Sequence, residues 1–468
     1  MKKNIFITGL LCALFLMPAL VLGQDSTTTA IDTAATTIVA DSAVQAPAEL
    51  TEEVPAIPLN TGNTAWIIMA TILVLLMSIP GLALFYGGLV RAKNVLSIIM
   101  QTFIVVGVVT LIWFAFGYSW VFGTSLMDSP LGFFIGGFEK SFLNGVTTES
   151  MWSTGIPEII FALFQCMFAI ITPALIIGAF AERVRFAGYL LFISLWVILS
   201  YLPLAHMVWG GGWIFNMGAI DFAGGTVVHI NAGISALVMA LMVGKRKGYR
   251  PERPITPHNI PFVFIGAALL WVGWFGFNAG SGLAADGLAT RAFLVTHIAA
   301  ATSLVTWMII DWTRNKRPTI VGASTAAVAG LVAITPAAGT TGIFGAIAIG
   351  LISALICFFM VAVVKEKLGY DDSLDAFGVH GMGGIIGSLL TGVFIVPGGL
   401  TGVGLTDAFG GWEQIGIQAI ATVFTIAFSG IITYILFILV DKTVGIRVSP
   451  KIEEEGLDIY EHKESAYN

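Results

Sequence analysis

The chain has 468 residues, 57% of them hydrophobic and 11% charged, with a formal net charge of −6 and a mean hydropathy of +0.90. Soluble domains carry about 25% charged residues, so a string of water-soluble domains is excluded and a polytopic, all-helical membrane protein is predicted. Charge in such a chain is read loop by loop, and nothing in its overall balance points to nucleic acid as a partner. Of the three cysteines, Cys12 falls in the leader and Cys166 and Cys357 in apolar runs, which indicates neither a disulfide framework nor a metal site.

The first residues, MKKNIFITGLLCALFLMPALVLGQ, join two lysines to an apolar stretch that ends in small or β-branched residues. That layout predicts a cleaved signal peptide over 1–23, with a first transmembrane helix as the alternative. Residues 24–63 are rich in Thr, Ala, Ser and Pro, and their only charges are Asp25, Asp32, Asp41, Glu49, Glu52 and Glu53. A segment so poor in buriable surface is predicted to be a disordered, acidic, extracytoplasmic linker.

From Thr64, apolar runs near the length needed to cross a bilayer alternate with short polar breaks. Eleven spans are predicted, at 64–90, 94–122, 155–181, 184–208, 224–244, 260–282, 289–312, 318–337, 340–364, 375–397 and 412–440. The odd-numbered breaks collect basic residues: Arg91 and Lys93; Arg183 and Arg185; Lys245, Arg246, Lys247, Arg250 and Arg253; Arg314, Lys316 and Arg317; Lys365 and Lys367. The even-numbered ones hold only Lys140 and Arg291. Cytoplasmic loops concentrate Lys and Arg, so the membrane domain at 64–441 is predicted to start outside and to end in a cytoplasmic tail, 442–468.

An internal echo runs through these spans. VHINAG at 228–233 matches VHGMGG at 379–384, and ITPA occurs at both 171–174 and 334–337. Each pair is five spans apart, and a unit of five repeated in a membrane is inverted, an arrangement that places substrate sites at the repeat interface. A five-plus-five inverted repeat with one final helix is therefore expected.

Six histidines occur in the chain, and His229 and His380 stand at matching places inside spans. An ionisable side chain within the membrane implies a cavity or a partner, although each histidine could equally bond a neighbouring carbonyl and hold helices together. His206, near a helix end, and His297, within the seventh span, are assigned structural roles. The 54 glycines, in groups such as GLALFYGG and GMGGIIGSL, imply closely packed helices with a narrow path between them. Phe164 and Phe168 share one helix face, as do Phe277 and Ser281. Such stripes are either core or, with Trp209, a site where ring faces attract a cation and a hydroxyl accepts one of its protons.

DFAGGTVVHINAG, FQCMFA, AERVRF, WFGFNAGS and DDSLDAFGVHGMGG resemble the signature stretches of the ammonium transporter family, the Amt/Mep/Rh group, and the bacterial members most closely. The resemblance runs from about Thr64 to the end of the chain. It implies a homotrimer with a pore in every subunit, no cofactor, no metal and no enzymatic activity. It also implies residence in a bacterial plasma membrane, the inner one in a Gram-negative cell.

Carried over residue by residue, the resemblance makes Trp209, Phe164 and Ser281 an outer recruitment site for ammonium, with Phe168 and Phe277 as a gate beneath. His229 and His380 become a hydrogen-bonded pair lining the pore, and Asp221 a supporting carboxylate that organises helix ends. Asp371, Asp372 and Asp375 match the acidic segment before the second histidine. An apolar constriction opposes any ion, so ammonium would shed a proton and cross as ammonia, with or without separate transfer of the proton. The tail sequence GLDIYEHKESAYN at 456–468 resembles a regulatory segment that meets a PII-family protein of the GlnK type, the alternative being a solvated acidic end. Lys463 stands where the family pattern often has glycine, which puts the turn there in question. Two rivals remain: an ammonium sensor with little sustained transport, and a membrane redox protein with His229 and His380 as haem ligands.

Overall fold

Inside a membrane the backbone has no water to bond, so every spanning segment has to satisfy its own amides and carbonyls, and the long apolar runs do so as helices. The computed structural model describes residues 57–251, 255–396, 400 and 411–467. The expected signal peptide, most of the linker, Cys12 and Arg253 lie outside the described residues.

In chain order the apolar helices are α1 (Thr61–Leu89), α2 (Ala92–Phe122), α3 (Glu158–Phe180), α4 (Phe186–Asn216), α5 (Gly225–Val243), α6 (Ile260–Gly280), α7 (Gly287–Asn315), α8 (Ile320–Ala337), α9 (Ile343–Leu368), α10 (Phe377–Val393) and α11 (Trp412–Thr443). Ten are long and apolar enough to cross a bilayer, and α10 is a shorter one. A tail helix, α12 (Pro450–Glu455), follows. Among the described residues there is no strand, only isolated bridges such as Val184 to Arg447.

Helix ends depart from the expected spans where a local cap decides them. Asn60 accepts from the Asn63 amide and starts α1 at Thr61, inside the expected linker. Asp286 caps α7 through the amides of Leu288 and Ala289. Beyond 208, α4 continues through a break at Gly210–Gly212 into a short turn, Trp213–Asn216, so Trp209 is the last residue of its main segment.

The centre and the rim are easily told apart. In α3, α4, α5 and α8 between 72% and 83% of the apolar window is buried, against 33% in α7, α9 and α11. The inner helices are thus hydrophobic all round and surrounded by protein, while the outer ones expose large side chains such as Trp312, Phe359 and Ile435.

Four of the odd-numbered connections, the first, third, fifth and ninth, are joined by a buried ionic network. The Glu182 carboxylate accepts from the Arg91 amide at 2.8 Å, from Asn94 at 2.9 Å and from Arg246 Nη1 at 2.8 Å. Arg246 reaches on to Asp371 with two parallel bonds of 2.9 and 2.8 Å. The tail closes over this network. Asp458 accepts from the amides of Leu96 and Ser97 at the start of α2, Glu461 from the Phe186 amide at the start of α4, and Asn94 accepts from the Leu457 amide. Lys463 adopts the left-handed conformation, φ +59°, that glycine would take more cheaply.

Burial alone would raise the Glu182 carboxyl, but Arg246 and Arg91 outweigh it and hold it down to about 2. Its folded value lies below the ordinary 4.5, so its contribution to stability is complete above pH 4.5 and is lost as the pH falls towards 2. Glu182→Gln leaves Arg246 short of a partner and should cost about 3 kcal/mol at neutral pH. Thermal unfolding in detergent across that acid range should fall less steeply in the variant than in the wild type.

Candidate functional site

Two helices begin inside the protein, and each needs an acceptor for its first amides. At α5 that acceptor is Asp221. Its Oδ1 accepts from Gly224 N at 2.9 Å and Gly225 N at 2.5 Å, its Oδ2 from Thr226 N at 2.8 Å and Val227 N at 3.1 Å. Gly224 makes the turn at φ +112°, a conformation natural to glycine. Burial pushes the Asp221 carboxyl above the usual aspartate value against the pull of these four amides.

At α10 the same part is taken by Asp372, which accepts from Ala376 N at 3.0 Å and Phe377 N at 2.8 Å, with Asp375 in the left-handed position at φ +60°. Burial and the neighbouring Asp375 push the Asp372 carboxyl above the usual aspartate value. Each capping aspartate stands eight positions before a histidine, 221 before 229 and 372 before 380. Each histidine lies in a π-helical opening turn, Gly225–Ile230 or Phe377–Gly381, a distortion that recurs at functional sites.

Glycines then bring the two histidines together. A Cβ on Gly233 would lie 2.1 Å from Gly381 N, so α5 and α10 cross there backbone to backbone. His229 and His380 face one another with Nδ1 to Nδ1 at 3.4 Å and ring planes 18° apart. Two nitrogens this close share one proton, so one Nδ1 donates and the other accepts. The pair therefore presents one Nε2 as an acceptor and the other as a donor. Trp274 backs the His229 ring at 5.4 Å and donates to Thr335 Oγ1 at 2.9 Å.

A ladder of rings leads away from this pair. Phe277 lies 6.0 Å from His229, Phe168 4.4 Å from Phe277, and Trp209 5.8 Å from Phe168, edge-on. The Trp209 indole donates to Asp221 O at 2.8 Å, which ties the last ring to the carboxylate that starts α5. Phe168, Trp209 and Ser281 line a pocket of about 180 Å³, together with Phe222 and Gln165. Ser281 Oγ donates to Phe277 O at 2.8 Å, which leaves its lone pairs free to accept.

The geometry divides the sequence-predicted residues differently in one respect. Phe164 is fully buried, meets Phe168 edge-on at 5.1 Å and packs against Gly280, while Phe168 itself lines the pocket. His206 is enclosed, with its nitrogens 2.8 Å from Val121 O and 2.9 Å from Gly132 O. His297 is exposed against Trp271. Asp371 belongs to the ionic network, and Asp375 pairs with Lys365. Sequence reasoning missed Asp372 as a cap, although its eight-residue offset from a histidine, shared with Asp221, was legible. Trp274 and Gln165 carried no signal of their own.

An all-helical membrane protein with a buried ladder of rings running from a pocket to two facing histidines is the class that this arrangement defines. The model of the Ammonium Transporter Family matches residues 65–467, and the chain belongs to that family. The chain is 47% identical over 412 residues to an ammonium transporter of Aquifex aeolicus, covering 88% of this chain and 94% of that one. Among solved structures it resembles Candida albicans Mep2, with a TM-score of 0.76, 34% identity and coverage of 84% and 87%. It also resembles a protein described as a sensor Amt protein, with a TM-score of 0.78, 32% identity and coverage of 86% and 98%.

Gly233→Ala would set a methyl group against the Gly381 backbone, which has no room to give. The helices must separate, and overpacking of this kind costs about 1–3 kcal/mol. Reduced thermal stability is expected together with a lengthened histidine contact, measurable as altered imidazole ¹⁵N shifts.

Proposed function

We propose that the chain transports ammonium, taking it up as the cation at Trp209, Phe168 and Ser281 and passing it to the histidine pair as ammonia. The observation that carries this reading is the unbroken ladder from Trp209 through Phe168 and Phe277 to His229 and His380. Ring faces attract a cation at the pocket, and Ser281 Oγ offers it an acceptor. Below Phe168 the rings oppose a charge but admit a small neutral molecule. Phe277 and Phe168 act as the gate, and Phe164 supports it from behind. The donor and acceptor Nε2 atoms of the pair match ammonia, which can both give and take a hydrogen bond. Asp221, with four amides on its oxygens, holds the site together and does not touch substrate.

The same reading extends to topology and assembly. The chain crosses the membrane eleven times, N-terminus outside, as an inverted five-plus-five repeat with a final helix; the matched Asp-to-His halves support it. The protein sits in a bacterial plasma membrane as a trimer. The tail regulates transport by gripping the starts of α2 and α4 and offers a PII-family protein a docking surface. A sensing role with little flux is the second reading, favoured by the likeness to the sensor Amt protein. Haem ligation fits poorly, since nitrogens 3.4 Å apart leave no space for iron and its macrocycle.

Proteoliposomes given an ammonium pulse, with potassium as the control, test the reading. Current with ammonium alone is expected if the proton follows the substrate. Ammonia uptake without current would establish neutral transport, and neither signal would favour sensing. His380→Ala should keep the fold yet lose flux or selectivity; wild-type values in both would remove the histidines from the mechanism. Trp209→Leu should raise the half-saturating ammonium concentration about tenfold, the size of a partly desolvated cation–π contact. An unchanged concentration dependence would argue against the outer site.

A further inference from the structure

We propose that the pocket at Trp209 also binds organic ammonium ions too large to pass the rings beneath it, so that a quaternary ammonium ion blocks the path competitively. The proposal rests on the reading of this pocket as the site of ammonium uptake.

The pocket is too large and too aromatic for ammonium alone. Its volume of about 180 Å³ is several times the roughly 30 Å³ that a water claims in the liquid, and ammonium is close to water in size. Trp152 and Phe161 stack at 3.8 Å with 10° between their planes, and Phe122 meets Phe161 edge-on at 4.9 Å; all three line the pocket. Phe168, Trp209 and Phe222 bring the number of lining rings to six. Aromatic cages hold methylated ammonium ions because the charge is spread, the ion is weakly hydrated and its methyl groups bury against ring faces.

The remaining lining fits the same class of ligand. No carboxylate or basic side chain is among the lining residues, so an ion pair plays no part in selection. The polar groups are Ser281 Oγ and the Gln165 amide, and a fully substituted ion needs neither because it has no N–H to donate. The floor stops it. The Phe168 and Phe277 centroids are 4.4 Å apart, with 32° between ring planes, so the rings are in contact.

Tetramethylammonium is the probe, with ammonium transport measured in proteoliposomes holding the full chain. It should raise the half-saturating ammonium concentration without lowering the maximal rate. In Trp152→Leu that rise should shrink about tenfold, by the loss of one strong cation–ring contact. Phe122→Leu provides the same comparison where Trp152→Leu does not fold. No rise at high tetramethylammonium, a lowered maximal rate, or a rise of equal size in wild type and variants would each overturn the proposal. Trp209→Leu in parallel separates the two ways of failing. If it shifts the ammonium dependence while tetramethylammonium does nothing, ammonium uptake stands and the cage falls; if neither has an effect, both fall.

Discussion

The structure depends on the cost of leaving backbone amides unpaired away from water. Helices α5 and α10 begin within the protein, and each presents a first turn of amides that would otherwise be orphaned. Asp221 and Asp372 satisfy them, at 2.5–3.1 Å and at 2.8–3.0 Å. With the starts of both helices held, their first turns can be π-helical, and these are the turns that carry His229 and His380. The aspartates act by fixing backbone, and the histidines face each other in consequence.

Close approach does the rest. Two imidazoles reach contact only where the helices that bear them nearly touch, and Gly233 against Gly381 supplies that crossing. The resulting pair is held from the side by Trp274, whose indole is fixed by Thr335. The pocket is bound into the same system, because Trp209 donates to the carbonyl of Asp221 itself. One residue therefore links the pocket ring, the start of α5 and, through α5, the histidine.

Charge is confined to where it can be paired. The central helices carry almost none, while Glu182, Arg246 and Asp371 form a buried chain on a single face and the tail caps α2 and α4 over it. A buried chain of this kind contributes little net attraction but penalises any displacement that would strand a charge. The loops on this face are thus held in one arrangement, with the tail as part of their packing. Lys463 in a left-handed turn shows that the tail tolerates a small backbone cost to keep those contacts.

Much of this was legible in the residues. Composition alone excluded a soluble fold, the apolar runs located the helices to within a few residues except at the end of α4, and V-H-x-x-x-G at 228 and 379 marked the two histidines as related. The site aromatics were legible as stripes, yet the stripes could not tell Phe168, which lines the pocket, from Phe164, one helical turn away, which backs it. Which of two rings on one face meets a cavity depends on the neighbouring helix, here on Gly280 receiving the Phe164 ring. The partners of His206 were likewise hidden, because the carbonyls of Val121 and Gly132 that enclose it are remote in sequence. Linear order determined which segments are helical and which residues carry chemistry, since both follow from local hydrophobicity and residue type. The tertiary structure alone decided which side chains face one another, because a contact of a few ångströms between helices far apart in the chain is set by how closely their backbones can approach.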